Sequence, residues 1–254
     1  MIDLHCHILP GVDDGAQSLS DSIEMARKAV QQGIHKIVAT PHHRNNNYEN
    51  PRVSIIERVQ DLNRVLREEK IELEVLPGQE VRIHGEMIEG FEAGEILPVN
   101  HTPYLLVEFP SNHVPRYTEK LFYDLQMKGL IPVIVHPERN QELIERPELL
   151  YQLVKKGALT QITAASVCGN FGKKIKNFSL QLIEANLTHL IASDAHNITK
   201  RGFKMREAFG TIQQMYGNEM VYFFEDNASL LIEGKYVYKE DPERIKRKKL
   251  FFLF

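Results

Sequence analysis

Short apolar, β-branched runs recur along the chain, and each gives way to a stretch where apolar residues return every three to four positions. Alternation of these two periods predicts β/α units around a parallel sheet. The runs lie at 1–5 (MIDLH), 36–40 (KIVAT), 72–76 (ELEVL), 104–109 (YLLVEF), 131–136 (IPVIVH), 158–163 (ALTQIT) and 189–193 (HLIAS), giving seven expected strands. Amphipathic stretches at 20–32, 51–70, 117–128, 147–156 and 178–185 are the expected helices. Ser20 is read as the N-cap of the first helix, and Gly33, Gly129 and Gly157 stand just past helix ends, where a left-handed residue is expected.

No linker interrupts the pattern before about Tyr238. With 254 residues, 43% of them hydrophobic, the chain suffices for one large core and fits a single barrel domain over 1–240, followed by a tail at 241–254. The tail is basic through Lys249 and apolar from Leu250 to Phe254. It is read as a frayed or packed end, with contact to an anionic membrane surface or a partner as the alternative.

Charge narrows the function classes. A formal net charge of −3 leaves no basic field of the kind nucleic-acid binding uses, so nucleic acid is not expected as a partner. Cysteine is present only as Cys6 and Cys168, which points to a reducing compartment rather than a disulfide framework. No signal peptide precedes Asp3, and no apolar run reaches the roughly 20 residues of a membrane helix, so a cytoplasmic protein is expected.

The chemistry gathers at strand ends. His5 and His7 leave the first strand as HxH, and the period of two puts both imidazoles on one side with Cys6 on the other. Alone the motif is weak, since a chain this rich in histidine produces about 0.5 such pairs by chance. His42 and His43 follow the second strand, Glu80 the third, Glu108 ends the fourth, His136 the fifth, and Asp194 and His196 follow the seventh. Ends of parallel barrel strands converge on one face, so residues remote in sequence meet there. His35, His84, His101, His113 and His189 have no such placement and are left out.

The expected ligands are His5, His7, His42, His136, His196, Glu80, Glu108 and Asp194, more than one ion needs, so two or three divalent ions are implied. Nitrogen and oxygen donors without thiolate suit manganese, iron or zinc. Three dications against three carboxylates leave about +3, which a bridging hydroxide and a phosphate-ester dianion would neutralise. Arg139 and Arg206 are candidate phosphate contacts, and Asp13 and Asp14 candidate proton donors or relays.

At this point the motifs DLHCHILPGVDDGA, TPHH, GQE, VEF, HPER and SDAH, in order over about residues 3–210, resemble the polymerase and histidinol phosphatase superfamily. The resemblance is strongest to its bacterial protein-tyrosine phosphatases of capsule and exopolysaccharide systems. It implies a distorted seven-stranded (β/α)7 TIM-like barrel and manganese-dependent hydrolysis of phosphotyrosine by a metal-bridging hydroxide. The eight ligands above match that family's metal positions, with Arg139 and Arg206 as phosphate contacts and Asp14 as proton donor; His43, next to His42, is counted among the catalytic candidates. The implied partner is a membrane-associated bacterial tyrosine kinase controlling exopolysaccharide synthesis.

Four competing readings follow from the same residues. A small-molecule phosphatase acting on histidinol phosphate would use the same ions. An amidohydrolase would share HxH but usually needs a lysine where Glu108 stands. A thiolate phosphatase using Cys168 lacks the arginine of its loop, Lys174 standing there instead. A metal-stabilised binding module would bind ions without turnover.

Overall fold

The structure, a computed structural model, describes residues 1–45 and 47–245. Its strands are β1 (Ile2–Cys6), β2 (Lys36–Ala39), β3 (His42–His43), β4 (Glu74–Pro77), β5 (Glu80–Arg82), β6 (Tyr104–Glu108), β7 (Ile131–Val135), β8 (Leu159–Thr163) and β9 (Leu190–Ala192). The second and third expected strands, now β2 and β4, are each followed after a short break by a further strand, β3 and β5, that the pattern does not predict. Pro41, with no N–H to give a ladder, sits in the first break. Gly78 sits in the second, where a Cβ would come within 2.5 Å of a Val38 methyl.

These breaks divide the strands into two parallel sheets, ordered β1-β2-β4 and β3-β5-β6-β7-β8-β9. The single closed sheet expected of a barrel is therefore not recorded among the described residues. The two sheets meet where β1 approaches β9, through a parallel bridge between Cys6 and Ala195. There the His7 N–H donates to the Ala195 carbonyl and the Asp194 N–H to the His5 carbonyl, each across 2.9 Å.

The helices are α1 (Leu19–Gln31), α2 (Arg52–Glu68), α3 (Met87–Glu92), α4 (Thr118–Met127), α5 (Gln141–Glu145), α6 (Glu148–Lys155), α7 (Ala164–Cys168), α8 (Lys173–Glu184), α9 (Met205–Tyr216) and α10 (Asn218–Ile232). The N-cap of α1 is Ser18 rather than Ser20, because Asp21 stands three residues on and closes a capping box with it. Helix α8 begins five residues earlier than expected; its N-cap is Gly172, which has no side chain to mark the start. Helices α9 and α10, for which the pattern gives no expectation, are divided by Gly217 at φ 84°.

Side chains alternate between two cores. Leu106, Val133, Val135, Leu159 and Leu190 turn inward, closed off by Ala228, Leu231 and Ile232 of α10. Leu105, Val107, Ile134 and Ile191 turn outward against the helices. Strands buried on both faces read as continuous apolar runs, which is why the sequence shows them so clearly. Of the expected tail, the stretch 241–245 lies on the domain: Arg244 pairs with Glu148 at 2.9 Å and stacks on Tyr151. The remainder, 246–254, lies outside the described residues.

Candidate metal centre

The site starts with an irregularity in β1. Asp3 pairs with Ile37 but Cys6 with Ala39, so β1 holds one residue more than its neighbour over this interval. A bulge of this kind re-aims side chains. Leu4 turns to the inner core and Cys6 to the outer one. His5 and His7 converge, their Nε2 atoms 3.3 Å apart.

The other strands deliver their groups to the same point. Glu80 opens β5 directly beside His42 of β3, and Glu108 ends β6 beside Arg82. His136 and Asp194 follow β7 and β9 in left-handed conformations, φ 38° and φ 52°. Such backbone costs a non-glycine residue about 1–3 kcal/mol and persists where the surroundings enforce it, commonly at functional sites.

Glu80 is the centre of the arrangement. Its Oε2 lies 3.4 Å from Nε2 of both His5 and His7 and 2.7 Å from His42 Nδ1, while Oε1 lies 2.8 Å from His136 Nε2. Asp194 divides its oxygens: Oδ1 lies 3.5 and 3.4 Å from the Nε2 atoms of His5 and His7, and Oδ2 accepts from Arg139 Nη2 at 2.6 Å. Asp14 Oδ1 lies 3.4 Å from His42 Nε2 and 3.3 Å from His196 Nε2.

Three overlapping groups have donor atoms within 4.8 Å of one another: His7, Asp14, His42 and His196; His5, His7 and Glu80; and His42, Glu80 and Glu108. His7, His42 and Glu80 each belong to two of them, so adjacent cations would share ligands. Glu80 Oε2 and His196 Nε2 are buried and satisfied by no hydrogen bond of good geometry, although histidine or carboxylate atoms lie within 3.4 Å of each. Buried polar atoms are rarely left so, and divalent cations would satisfy them. The residues thus fit divalent cations bound by nitrogen and oxygen.

Outer hydrogen bonds orient these ligands. His7 Nδ1 donates to Asp13 Oδ2 at 2.7 Å, and His196 Nδ1 to the Asp194 carbonyl at 2.9 Å. His5 Nδ1 donates to Gln161 Oε1 at 2.8 Å, and the amide nitrogen of Gln161 is fixed by the Ile162 carbonyl. In each case Nε2 is left as the free lone pair, the state a metal needs. Arg82 Nε, 3.2 Å away, and the Asn45 amide, 3.0 Å away, hold Glu108 Oε2.

The metal-free charge distribution is uneven. Burial pushes His42 down, but Glu80 and Asp14 outweigh it and raise it to about 10. His5 and His7 are also raised, against burial, by Glu80 and by Asp13 respectively. Burial, helped by Arg139, lowers His136 to about 4, and burial with His7 lowers His196 to about 4. Glu108 rises to about 7 through burial and the neighbouring Glu80.

The structure brings together the eight residues read as ligands, and Arg139 with them. Two readings need correction. Arg206 lies elsewhere: its guanidinium donates to the Gln31 carbonyl at the end of α1 and its N–H to Gln32, below the start of β2 rather than at the strand ends. His43 follows His42 in a strand, so it points the opposite way, and its Nδ1 accepts from the Asn50 N–H at 3.2 Å. Asp14 does lie at the site, where its contacts with His196 and His42 draw its carboxyl below the usual range in the metal-free chain.

Arg201 occupies the place expected of Arg206. Its Nη1 lies 3.2 Å from Asp14 Oδ2 and its Nη2 3.3 Å from Asp194 Oδ2. It stands seven residues after Asp194, closer to the SDAH motif than Arg206, and that proximity was the available signal. Cys168 is no nucleophile: burial and Glu207 push its thiol up to about 11, and its Sγ faces the Lys204 carbonyl.

A parallel α/β fold with a histidine and carboxylate cluster of this kind, two arginines at its rim, defines a class of metal-dependent hydrolases acting on anionic esters. The chain belongs to the capsular polysaccharide synthesis CpsB/CapC family, whose model matches residues 1–233. It is 53% identical to the tyrosine-protein phosphatase YwqE of Bacillus subtilis over all of both chains. It is 31% identical to the tyrosine-protein phosphatase CpsB of Streptococcus pneumoniae, covering 91% of this chain and 98% of that one. A crystal structure from the work on YwqE and CpsB, described as unique metal-dependent tyrosine phosphatases, superposes with a TM-score of 0.95 at 53% identity, covering 97% of this chain and 100% of the other.

Proposed function

We propose that this protein is a metal-dependent protein-tyrosine phosphatase, its two sheets wrapping as a distorted seven-stranded barrel around two or three divalent ions, manganese foremost. The observation that carries the reading is that Asp194 faces two ways, with Oδ1 toward the His5 and His7 imidazoles and Oδ2 toward Arg139 and Arg201. A dianion held by the arginines would therefore sit against the cations. The relatives' activity agrees with that geometry.

Bound divalent ions would supply a nucleophile at neutral pH and neutralise developing charge. The chain's own residues do the rest. Arg139 and Arg201 line one depression of about 280 Å³ with His136, Glu108, Asn140 and Ser111. Arg139 lines the depression while its Nη2 is held by Asp194, so its position relative to the metal ligands is fixed before an anion arrives. A tyrosyl leaving group, with an ordinary pKa near 10, departs with less proton assistance than a serine alkoxide.

The expected substrate is a phosphotyrosine protein, in particular a bacterial tyrosine kinase governing exopolysaccharide synthesis at the inner membrane face. No helix among the described residues is long and apolar enough to cross a membrane. The test is turnover of phosphotyrosine peptide, phosphoserine peptide and histidinol phosphate by manganese-loaded and chelated protein. Phosphotyrosine should be preferred and activity lost on chelation; activity surviving complete metal removal overturns the proposal.

A further inference from the structure

The arginine-lined depression has a neighbour of opposite character. A cavity of about 490 Å³ adjoins it through Asp14 and is bounded by Gln17, Asp21, Glu24, Tyr48 and Ile198. It reaches the cluster itself, since His196, buried with Nε2 in no hydrogen bond of good geometry, lies in its wall. Asp13 is in that wall too, and no lysine or arginine is.

Most of its carboxylates are engaged. Asp13 serves His7 and the Gly15 N–H, Asp14 pairs with Arg201, and Asp21 accepts from the backbone N–H groups of Gln17 and Ser18. Glu24, exposed one turn after Asp21 on α1, has no hydrogen bond or ion pair among the described residues. Tyr48, stacked on His42 at 5.9 Å between ring centroids, forms the aromatic side.

Resting on the phosphatase reading, we infer that this cavity receives the peptide next to the phosphotyrosine and that Glu24 selects a lysine or arginine there. The arginines hold the dianion, so what is esterified to it must leave the site by an adjoining opening. The acidic cavity is continuous with the cluster, has the volume for a side chain and its peptide, and repels acidic sequence. Specificity would thus come from two halves of opposite charge, one for the phosphate and one for its flank.

The test uses the manganese-loaded full chain with phosphotyrosine peptides that differ only in lysine or glutamate at the positions flanking the phosphotyrosine, and with p-nitrophenyl phosphate. Wild type should favour the lysine peptide by roughly fivefold in kcat/KM, the scale of one exposed ion pair, and high salt should erase the difference. Glu24→Lys should abolish or reverse that preference while leaving p-nitrophenyl phosphate turnover unchanged. No preference in wild type, or a preference untouched by Glu24→Lys, overturns the inference and leaves the phosphatase reading standing. Absence of turnover on every phosphate ester overturns the phosphatase reading itself.

Discussion

His7 Nδ1 lies 2.7 Å from Asp13 Oδ2, and the same carboxylate accepts the His42 N–H at 3.1 Å and, through Oδ1, the Gly15 N–H at 2.9 Å. One side chain therefore orients two ligands and fixes the loop between them. Outer-sphere carboxylates of this type typically carry 10- to 100-fold in metal affinity. Asp13→Asn should weaken manganese binding by about that factor while the chain stays folded, as followed by metal titration and circular dichroism. Unchanged affinity would show that His7 is oriented by the backbone alone.

Arg201 and Arg206 make a paired prediction. Arg201→Ala removes a guanidinium that faces Asp194 and the proposed phosphate position, so kcat/KM should fall on the order of 10²-fold. Arg206→Ala removes only the bond to the Gln31 carbonyl, so activity should persist with a small loss of melting temperature. Steady-state kinetics of both variants decides it, and the opposite ranking would restore Arg206 to the site.

Metal uptake should release protons. Without metal, His42 titrates at about 10 and Glu108 at about 7, so at pH 7 the first carries a proton and the second does so in about half the molecules. Both must lose it to bind a cation, so affinity rises with pH across this range. Calorimetry in two buffers of different ionisation enthalpy would count the protons; none released would contradict these assignments. The stability sign is separate. A histidine raised from an unfolded value near 6.5 to about 10 stabilises the metal-free fold fully below pH 6.5, and that contribution is lost as pH rises toward 10. Metal-free protein should therefore melt lower at pH 9.5 than at pH 7, with metal offsetting the difference.

Much of this was legible because burial on both faces makes strands continuous apolar runs and because strand ends share a face. His5, Glu108 and Asp194 could be read from those two facts. The breaks after Ala39 and Pro77 were not, since they depend on Pro41 and on how closely Gly78 approaches Val38 across strands. The β1 bulge is invisible in MIDLHCH, where simple alternation already puts the two histidines together. Gln161 sits on β8, the one of the seven expected strands whose end offers no ligand type, and a carboxamide becomes noticeable only once His5 lies 2.8 Å away. Arg206 falls outside the site because α9 begins beside the end of α1, a tertiary contact that residue type does not reveal.

Gly15 tests how rigidly the first ligand loop is held. A Cβ there would lie 2.1 Å from the His7 carbonyl oxygen and 2.4 Å from its Cβ, so the backbone of a ligand, not a flexible side-chain end, must move. The Ala16 N–H donates to that same carbonyl at 3.0 Å, which leaves the loop no slack. Gly15→Ala should cost about 1–3 kcal/mol, as overpacking does, and should weaken metal binding as well because His7 is displaced. Gly85→Ala is the control, since a Cβ there meets nothing within 4 Å. If both variants melt and bind manganese like wild type, the loop is plastic and His7 does not depend on its packing. If Gly15→Ala melts lower yet binds metal normally, strain in the loop is separable from the site.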